Sequence, residues 1–292
     1  MKALISGRNG FIGIALDRRL TELGYETIEL HRRLLYDIDS LKSFVHRISP
    51  DYIFHLSAYG NHSTQNDWFN TIRTNIKATY NLLDATKDIP YKGFINFGSS
   101  SEYGRKGEPM KESDLLEPVT MYGATKASST LICDVFARTF NKPIITVRPF
   151  SVYGEGEAEF RFIPTVIKGL LNKTFIDLAP DPKHDWIYIH DFIDGVLTVA
   201  NSAQKLGINV VNIGTGKQYT NMEVVEELEA VSGLRVNYDV FGDKMMRSYD
   251  TGNWVADNSL LKSLGWTQKN TLKRGLEKTY AYYKSRFEKE NN

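Results

Sequence analysis

Met1-Lys-Ala-Leu-Ile-Ser-Gly-Arg-Asn-Gly-Phe-Ile-Gly-Ile-Ala-Leu16 opens the chain and governs how the rest is read. Lys2 to Ser6 is a short apolar run of strand length, and it meets Gly7. Phe11, Ile12, Ala15, Leu16, Leu20 and Leu23 then recur at helical spacing until Gly24. The expected order is strand, tight turn, helix. Glycines at 7, 10 and 13 let backbone N–H groups approach an anion, and the start of a helix favours negative charge. A purely structural turn would also use glycine, but the position directly between a strand and a helix points to a dinucleotide pyrophosphate. Gly7, Arg8, Gly10, Phe11, Ile12 and Gly13 are its expected cradle.

The same unit repeats outward from this loop. Thr27 to Leu30 reads as a second strand, and Leu41, Phe44, Val45 and Ile48 as a helix capped by Asp39 or Ser40 and closed by Pro50. Strand Tyr52 to Leu56, a helix through Ile72, Ile76, Tyr80 and Leu83, strand Phe94 to Phe97, a helix from about Tyr122 to Phe140, and strand Ile144 to Val147 follow. Strands alternating with amphipathic helices require right-handed crossovers, so the fold class is α/β with a doubly wound parallel sheet. After Pro149 the rhythm turns irregular, with strands at Trp186 to Ile189 and Val210 to Ile213, a helix at Met222 to Val231 capped by Thr220 or Asn221, and a last helix from about Leu272 to Phe287. The expected division is a dinucleotide-binding domain over 1–150 plus about 185–215, and a smaller interleaved C-terminal substrate lobe over about 151–184 and 216–292.

With 36 Lys+Arg against 35 Asp+Glu in 292 residues, the formal charge is +1, and 41% of residues are hydrophobic. This balance gives no footprint for nucleic acid or an anionic membrane, and no uncharged apolar stretch nears the ~20 residues of a spanning helix. The N-terminus has no signal-peptide pattern, and the single Cys133, among Leu131, Ile132 and Phe136, reads as a buried structural thiol; both readings fit a cytoplasmic protein. His55, in an apolar strand, reads as a satisfied core histidine, and no spacing of His, Cys and Asp suggests a metal site. Asp185 and Asp191 read as structural, and Trp254 and Trp266 as packing residues.

The tip of the second strand selects the dinucleotide. An NAD site places an acid there, ~20 residues beyond the loop, to bind the ribose 2′-hydroxyl, whereas a 2′-phosphate needs cations. Glu26-Thr-Ile-Glu-Leu30 runs instead into His31, Arg32 and Arg33, and Arg8 adds a further guanidinium. The expectation is NADP(H), with NAD as the alternative and solvated surface arginines as the bland reading.

Tyr122-Gly-Ala-Thr-Lys126 begins the fifth helix and places a phenol and an ammonium at i and i+4 on one face. An ammonium nearby favours the phenolate, drawing a reference pKa of ~10 toward working pH and making Tyr122 a usable acid and base. The segment Asn96-Phe-Gly-Ser-Ser-Ser-Glu-Tyr-Gly104 follows the fourth strand, at the carboxyl edge where open α/β sheets bind ligands. Ser99 can donate a hydrogen bond there to the oxygen that exchanges its proton with Tyr122. Ser101 reads better as loop filling.

In combination and order, Gly7-x-x-Gly10-x-x-Gly13, the Ser99/Ser100 loop ending in Tyr103-Gly104, Tyr122-x-x-x-Lys126, Arg148-Pro-Phe-Ser-Val-Tyr-Gly154, His184-Asp-Trp-Ile-Tyr-Ile-His-Asp191 and Asn212-Ile-Gly-Thr-Gly216 resemble the extended short-chain dehydrogenase/reductases that act on nucleotide sugars. The resemblance spans essentially the whole chain and implies a Rossmann fold. It implies that Ser99 or Ser100 and Tyr122 contact the sugar C4 oxygen and that Lys126 holds the nicotinamide ribose. It also assigns Asp37 and Ile38 to the adenine, Leu56, Ser57 and Ala58 to the loop beside the cofactor phosphates, Asn75 to the cofactor's helix neighbour, Ser151 to the sugar site and Arg247 to the nucleotide pyrophosphate. A homodimer packing helices Ile72 to Leu83 and Tyr122 to Phe140 is the family's expected assembly.

Departures from the family pattern narrow the reaction. The Asp-Glu pair of the 4,6-dehydratases is replaced by Ser100 and Ser101, with Glu102 one place late. The Cys and His of the 3,5-epimerising relatives are matched by Ser101 and Arg161, and Ser151 and His184 replace residues usual in UDP-galactose 4-epimerases. Together with the basic tip, these departures give an expected NADPH-dependent reductase of a nucleotide-linked 4-keto-6-deoxy sugar. The alternatives are a nucleotide-sugar 4-epimerase or dehydratase with tightly bound NAD, and a non-catalytic NADP-binding relative.

Overall fold

Six parallel strands carry the architecture of the computed structural model, which describes residues 1–62, 64–204, 207, 209–240 and 252–290. In chain order the elements are β1 (Lys2–Ser6), α1 (Phe11–Glu22), β2 (Glu26–Leu30), α2 (Ile38–Ile48), β3 (Tyr52–His55), α3 (Trp68–Ile72), α4 (Ala78–Thr86), β4 (Gly93–Phe97), α5 (Met121–Phe140), β5 (Ile144–Pro149), β6 (Ser151–Tyr153), α6 (Phe162–Asn172), β7 (Phe175–Leu178), β8 (Lys183–His184), β9 (Trp186–Tyr188), α7 (Ile189–Ser202), β10 (Val210–Ile213), β11 (Tyr219–Thr220), α8 (Asn221–Ser232), β12 (Asn237–Val240), α9 (Ser259–Ser263) and α10 (Leu272–Glu290). The main sheet runs β2-β1-β3-β4-β5-β10, every neighbouring pair parallel. The expected doubly wound, Rossmann-like sheet is therefore present. The strand order reverses beside β1, so the loops after β1 and β3 meet at the switch point where such sheets bind ligands.

Both sheet faces are covered, which is why the central strands read as near-continuous apolar runs. One core packs Ala3, Ile5, Phe54, Ile95 and Val147 against Leu16, Leu20, Ile163, Phe192 and Val196. The other packs Leu4, Ile53 and Phe94 against Leu41, Val45, Leu82, Cys133 and Ala137. Cys133 is buried, as expected, and burial pushes its thiol up to about 12.

Several boundaries differ from expectation for identifiable reasons. Helix α2 starts at Ile38, not behind Asp39 or Ser40, because Asp37 is the cap: its carboxylate accepts from Ser40 N at 3.2 Å and from Ser40 Oγ at 2.7 Å. The helix expected through Ile72 to Leu83 is broken by a π turn over Arg73–Lys77, which buries Asn75. Helix α6 was not expected, since Pro164 reads as a breaker; in the first turn, however, proline removes no intrahelical bond. Ile189 does not extend a strand but begins α7, which buries Ile189, Phe192, Ile193, Val196 and Val199, recurring at helical spacing along one side.

Candidate active site

The loop after β1 is shaped for close backbone approach. Gly7 has φ +72°, and a Cβ there would lie 3.0 Å from Ser57 N of the neighbouring loop. A Cβ on Gly13 would lie 2.3 Å from Gly7 O and 2.6 Å from Arg8 O, so α1 leaves the loop tightly only with glycine. Gly10 occupies the N-cap of α1 without any side-chain cap, which leaves the first-turn N–H groups to an incoming anion. A dinucleotide pyrophosphate fits this cradle. Leu56 and Ser57 close its other side, their N–H groups donating to Ser6 O at 3.2 Å and Ser6 Oγ at 3.3 Å, with Ala58 next along the loop.

The cationic tip is less available than the sequence implies. Arg8 pairs with Asp17 at 2.8 Å and bonds Thr27 Oγ1, so its charge is compensated within the protein. Arg32 donates to Thr74 Oγ1 at 3.2 Å, His31 Nδ1 accepts from Arg33 N, and Arg33 itself is exposed. Asp37 is spent on the α2 cap and Ile38 is the first residue of that helix. Asn75 is also engaged: it brackets Tyr59, accepting from its N at 2.9 Å and donating to its O at 2.8 Å, and reaches Thr125 Oγ1 at 2.9 Å. It positions the loop after β3 against α5. His55 is the satisfied core histidine expected, with Ser6 Oγ at 2.7 Å and Thr79 Oγ1 at 3.0 Å; burial, then nearby Lys126, holds its ring down to about 3.

The expected chemical groups converge at the carboxyl ends of β4 and β5. Ser99, Ser100, Ser101 and Tyr122 line one cleft of about 450 Å³, joined by Ser151 and, at its cofactor end, by Phe11 and Ile12. Ser99 caps a short turn, its Oγ accepting from Ser101 N at 3.1 Å, a bond that leaves its hydroxyl proton available to a ligand. Tyr122 is half-buried at the start of α5, and Lys126, four residues on, is buried. Burial draws the Lys126 amine down to about 8, with Glu102 and Cys133 opposing the shift, so it stays largely charged at pH 7.

Glu102 takes no place in the cleft. It is fully buried and receives Ser99 N at 2.8 Å, Thr130 Oγ1 at 2.9 Å and the Arg148 guanidinium at 2.8 Å. Arg148 lies over the Tyr103 ring, whose hydroxyl donates to Asn212 Oδ1 at 2.7 Å. The family motifs around Tyr103, Arg148 and Asn212 are thus one buried polar frame that fixes the Ser99 loop between β4, β5, β10 and α5. Asp185 and Asp191 are struts, as expected: Asp185 accepts from Thr215 N, Thr215 Oγ1, Gly216 N and Ala256 N, and Asp191 from Lys269 N, Asn270 N and Asn270 Nδ2.

Of the remaining cleft wall, only Arg161 and His184 are matched to family site positions in the sequence. Glu157, Phe160 and Arg161 come from the stretch joining β6 to α6, Phe162 from the start of α6, and His184, Trp186, Asn221 and Trp254 from farther along the chain. Trp254, expected to be packing, is both buried and cleft-lining, while Trp266 packs and donates to Asp191 O. His62 of the polar 60–67 loop packs its ring 3.9 Å from that of Phe160, and Asn61 lines the cleft, which places this loop at the cleft's rim. Arg247 lies outside the described residues. Among the described residues no group of three His, Cys, Asp or Glu side chains could hold a metal, and no helix is long and apolar enough to cross a membrane.

Residues 3–214 match the pattern of the NAD dependent epimerase/dehydratase family. An uncharacterized UDP-glucose epimerase of Bacillus subtilis is 31% identical over 245 residues, which is 82% of this chain and 76% of the relative. A UDP-glucuronate 4-epimerase of Thermodesulfobacterium geofontis is 26% identical over 92% of this chain and 84% of its own. Among solved structures, the UDP-glucuronic acid 4-epimerase of Bacillus cereus, in complex with UDP-glucuronic acid and NAD, superposes with a TM-score of 0.83 at 27% identity, covering 98% of this chain and 99% of that one.

Proposed function

Because the chain belongs to the NAD dependent epimerase/dehydratase family, we propose that it is a nucleotide-sugar 4-epimerase that retains NAD. The observation that carries this reading is Ser99 and Tyr122 on one cleft, with Lys126 buried one turn behind Tyr122 and no carboxylate at 100 or 101. The inward, fully paired Glu102 argues against a dehydratase, since it cannot serve as acid or base at C5 or C6. Relatives named as 4-epimerases, and a solved neighbour holding NAD, favour this reading over the NADPH-dependent reductase to which the basic tip pointed. Compensation of Arg8 by Asp17 weakens the case for a 2′-phosphate further.

Residues 1–150 and about 185–215 would hold the dinucleotide, through Gly7, Gly10, Gly13 and the Leu56 to Ala58 loop. About 151–184 and 216–292 would hold the nucleotide sugar. Bound in that cradle, NAD supplies a reversible hydride acceptor. Tyr122 takes the proton of the sugar C4 hydroxyl and later returns it, and the charge of Lys126 favours the phenolate that makes this possible. Ser99 donates a hydrogen bond to the same oxygen and stabilises charge on it. Ser100 and Ser151 line the space beside it.

Mass spectrometry of the denatured protein tests the cofactor, and proton NMR on UDP-glucose and UDP-glucuronic acid tests the reaction. The expected result is near-stoichiometric NAD and appearance of the C4 epimer with no added dinucleotide. An empty protein that binds NADPH more tightly than NADH restores the reductase.

The assembly we propose is a homodimer through α3, α4 and α5. Phe69 (72% exposed), Ile72, Tyr80, Leu131 (58%) and Val135 are exposed apolar residues on these neighbouring helices. Leu131→Glu is expected to convert a dimer to a monomer in sedimentation velocity; an unchanged dimer places the interface elsewhere.

A further inference from the structure

The mechanism above leaves one cleft carboxyl unused. Glu157 lies between β6 and α6 and lines the cleft, yet its Oε2 is sealed from solvent and has no hydrogen-bond partner. Its main chain is held at both ends: the N–H donates to Gly154 O at 3.3 Å, and the carbonyl accepts from the Tyr283 hydroxyl of α10. With Oε2 sealed and the residue lining the cleft, the side chain belongs to the cleft wall. Burial pushes its carboxyl up to about 8, with Arg161 opposing, so at pH 7 the group carries its proton.

A sealed polar atom without a partner is costly, and native structures keep few of them. Two more stand on the same cleft, Trp186 Nε1 and Asn221 Oδ1. On the opposite side of the ledger, the Ser99 loop has its buried carboxylate Glu102 fully bonded. Among the described residues lining the cleft, these three carry the sealed polar atoms without a partner, and all three stand away from the Ser99 loop in sequence. A protonated carboxyl donates through O–H and accepts through C=O, and a sugar hydroxyl does both in return. Phe160 and Phe162, three and five residues after Glu157, line the same cleft and offer apolar surface for the ring's C–H faces.

We propose that Glu157 is a specificity-determining residue that hydrogen-bonds a hydroxyl of the glycosyl group, while the nucleotide is held by other residues. This rests on the reading of the cleft as a nucleotide-sugar site. Isothermal titration of the protein as isolated, with UDP-glucose and with UDP, separates the two parts of the ligand. Glu157→Ala is expected to weaken UDP-glucose binding by about tenfold, the worth of one hydrogen bond, and to shift UDP by less than about twofold. Glu157→Gln keeps a donor and an acceptor in the same shape, and should stay within about threefold of wild type for both. Unchanged UDP-glucose binding in Glu157→Ala, or equal weakening of both ligands, overturns the assignment. A wild type that epimerises neither UDP-glucose nor UDP-glucuronic acid in the NMR assay overturns the epimerase reading instead.

Discussion

A Tyr122→Phe protein is expected to turn over its nucleotide sugar at least ~10²-fold more slowly while retaining its full complement of dinucleotide. The substitution removes one oxygen from a half-buried ring at the head of α5 and leaves Gly7, Gly10 and Gly13 of the cradle, more than a hundred residues away in sequence, untouched. It therefore deletes proton transfer and little else. Ser99 cannot take over, because a hydroxyl beside no general base is a poor proton acceptor; its Oγ is already an acceptor from Ser101 N. Lys126 cannot either, since it is buried beneath the cleft surface and mostly charged at pH 7. The check is kcat together with the NAD content measured by mass spectrometry. Loss of turnover with loss of NAD would mean a folding or binding defect, and retained turnover would remove Tyr122 from the chemistry.

What the sequence revealed and what it hid follow a physical line. The glycine loop was legible because a backbone that must approach both a partner loop and a ligand admits so few residues: Gly7 and Gly13 have no room for a Cβ. Tyr122 and Lys126 were legible because helical spacing alone places them on one face. Part of the basic charge read from the sequence is compensated in the fold, because charge counts ignore pairing, and Arg8 finds Asp17 nine residues on. Asp37 and Asn75, read as cofactor contacts, cap a helix and clamp a loop in the fold, roles that only the surrounding backbone reveals. Glu157 left no signal, since its unusual state comes from its surroundings in the fold, which include Tyr283 of α10, more than a hundred residues away along the chain.

Glu102→Ala is expected to give the largest loss of stability of any single change near the site. Glu102 is fully buried, and its carboxylate joins three elements at once: Ser99 N after β4, Arg148 on β5 and Thr130 on α5. Removing one partner of a buried ion pair leaves the other charge uncompensated, which costs about 3–5 kcal/mol. Arg148 has little to fall back on, because its Nη1 already lacks a partner and the guanidinium rests on the Tyr103 ring. At roughly 2–4 °C per kcal/mol for a domain of this size, the melting temperature should fall by about 6–20 °C. Calorimetry of a protein that refolds reversibly measures this; a drop of only a degree or two would show that Arg148 finds another acceptor or water. The same change also frees Ser99 N, so Ser99 is no longer held against the cleft by both halves of its cap. Assayed well below its melting temperature, Glu102→Ala should therefore lose kcat as well, and by less than Tyr122→Phe, because it disturbs the placement of a hydrogen-bond donor and leaves the proton carrier in place.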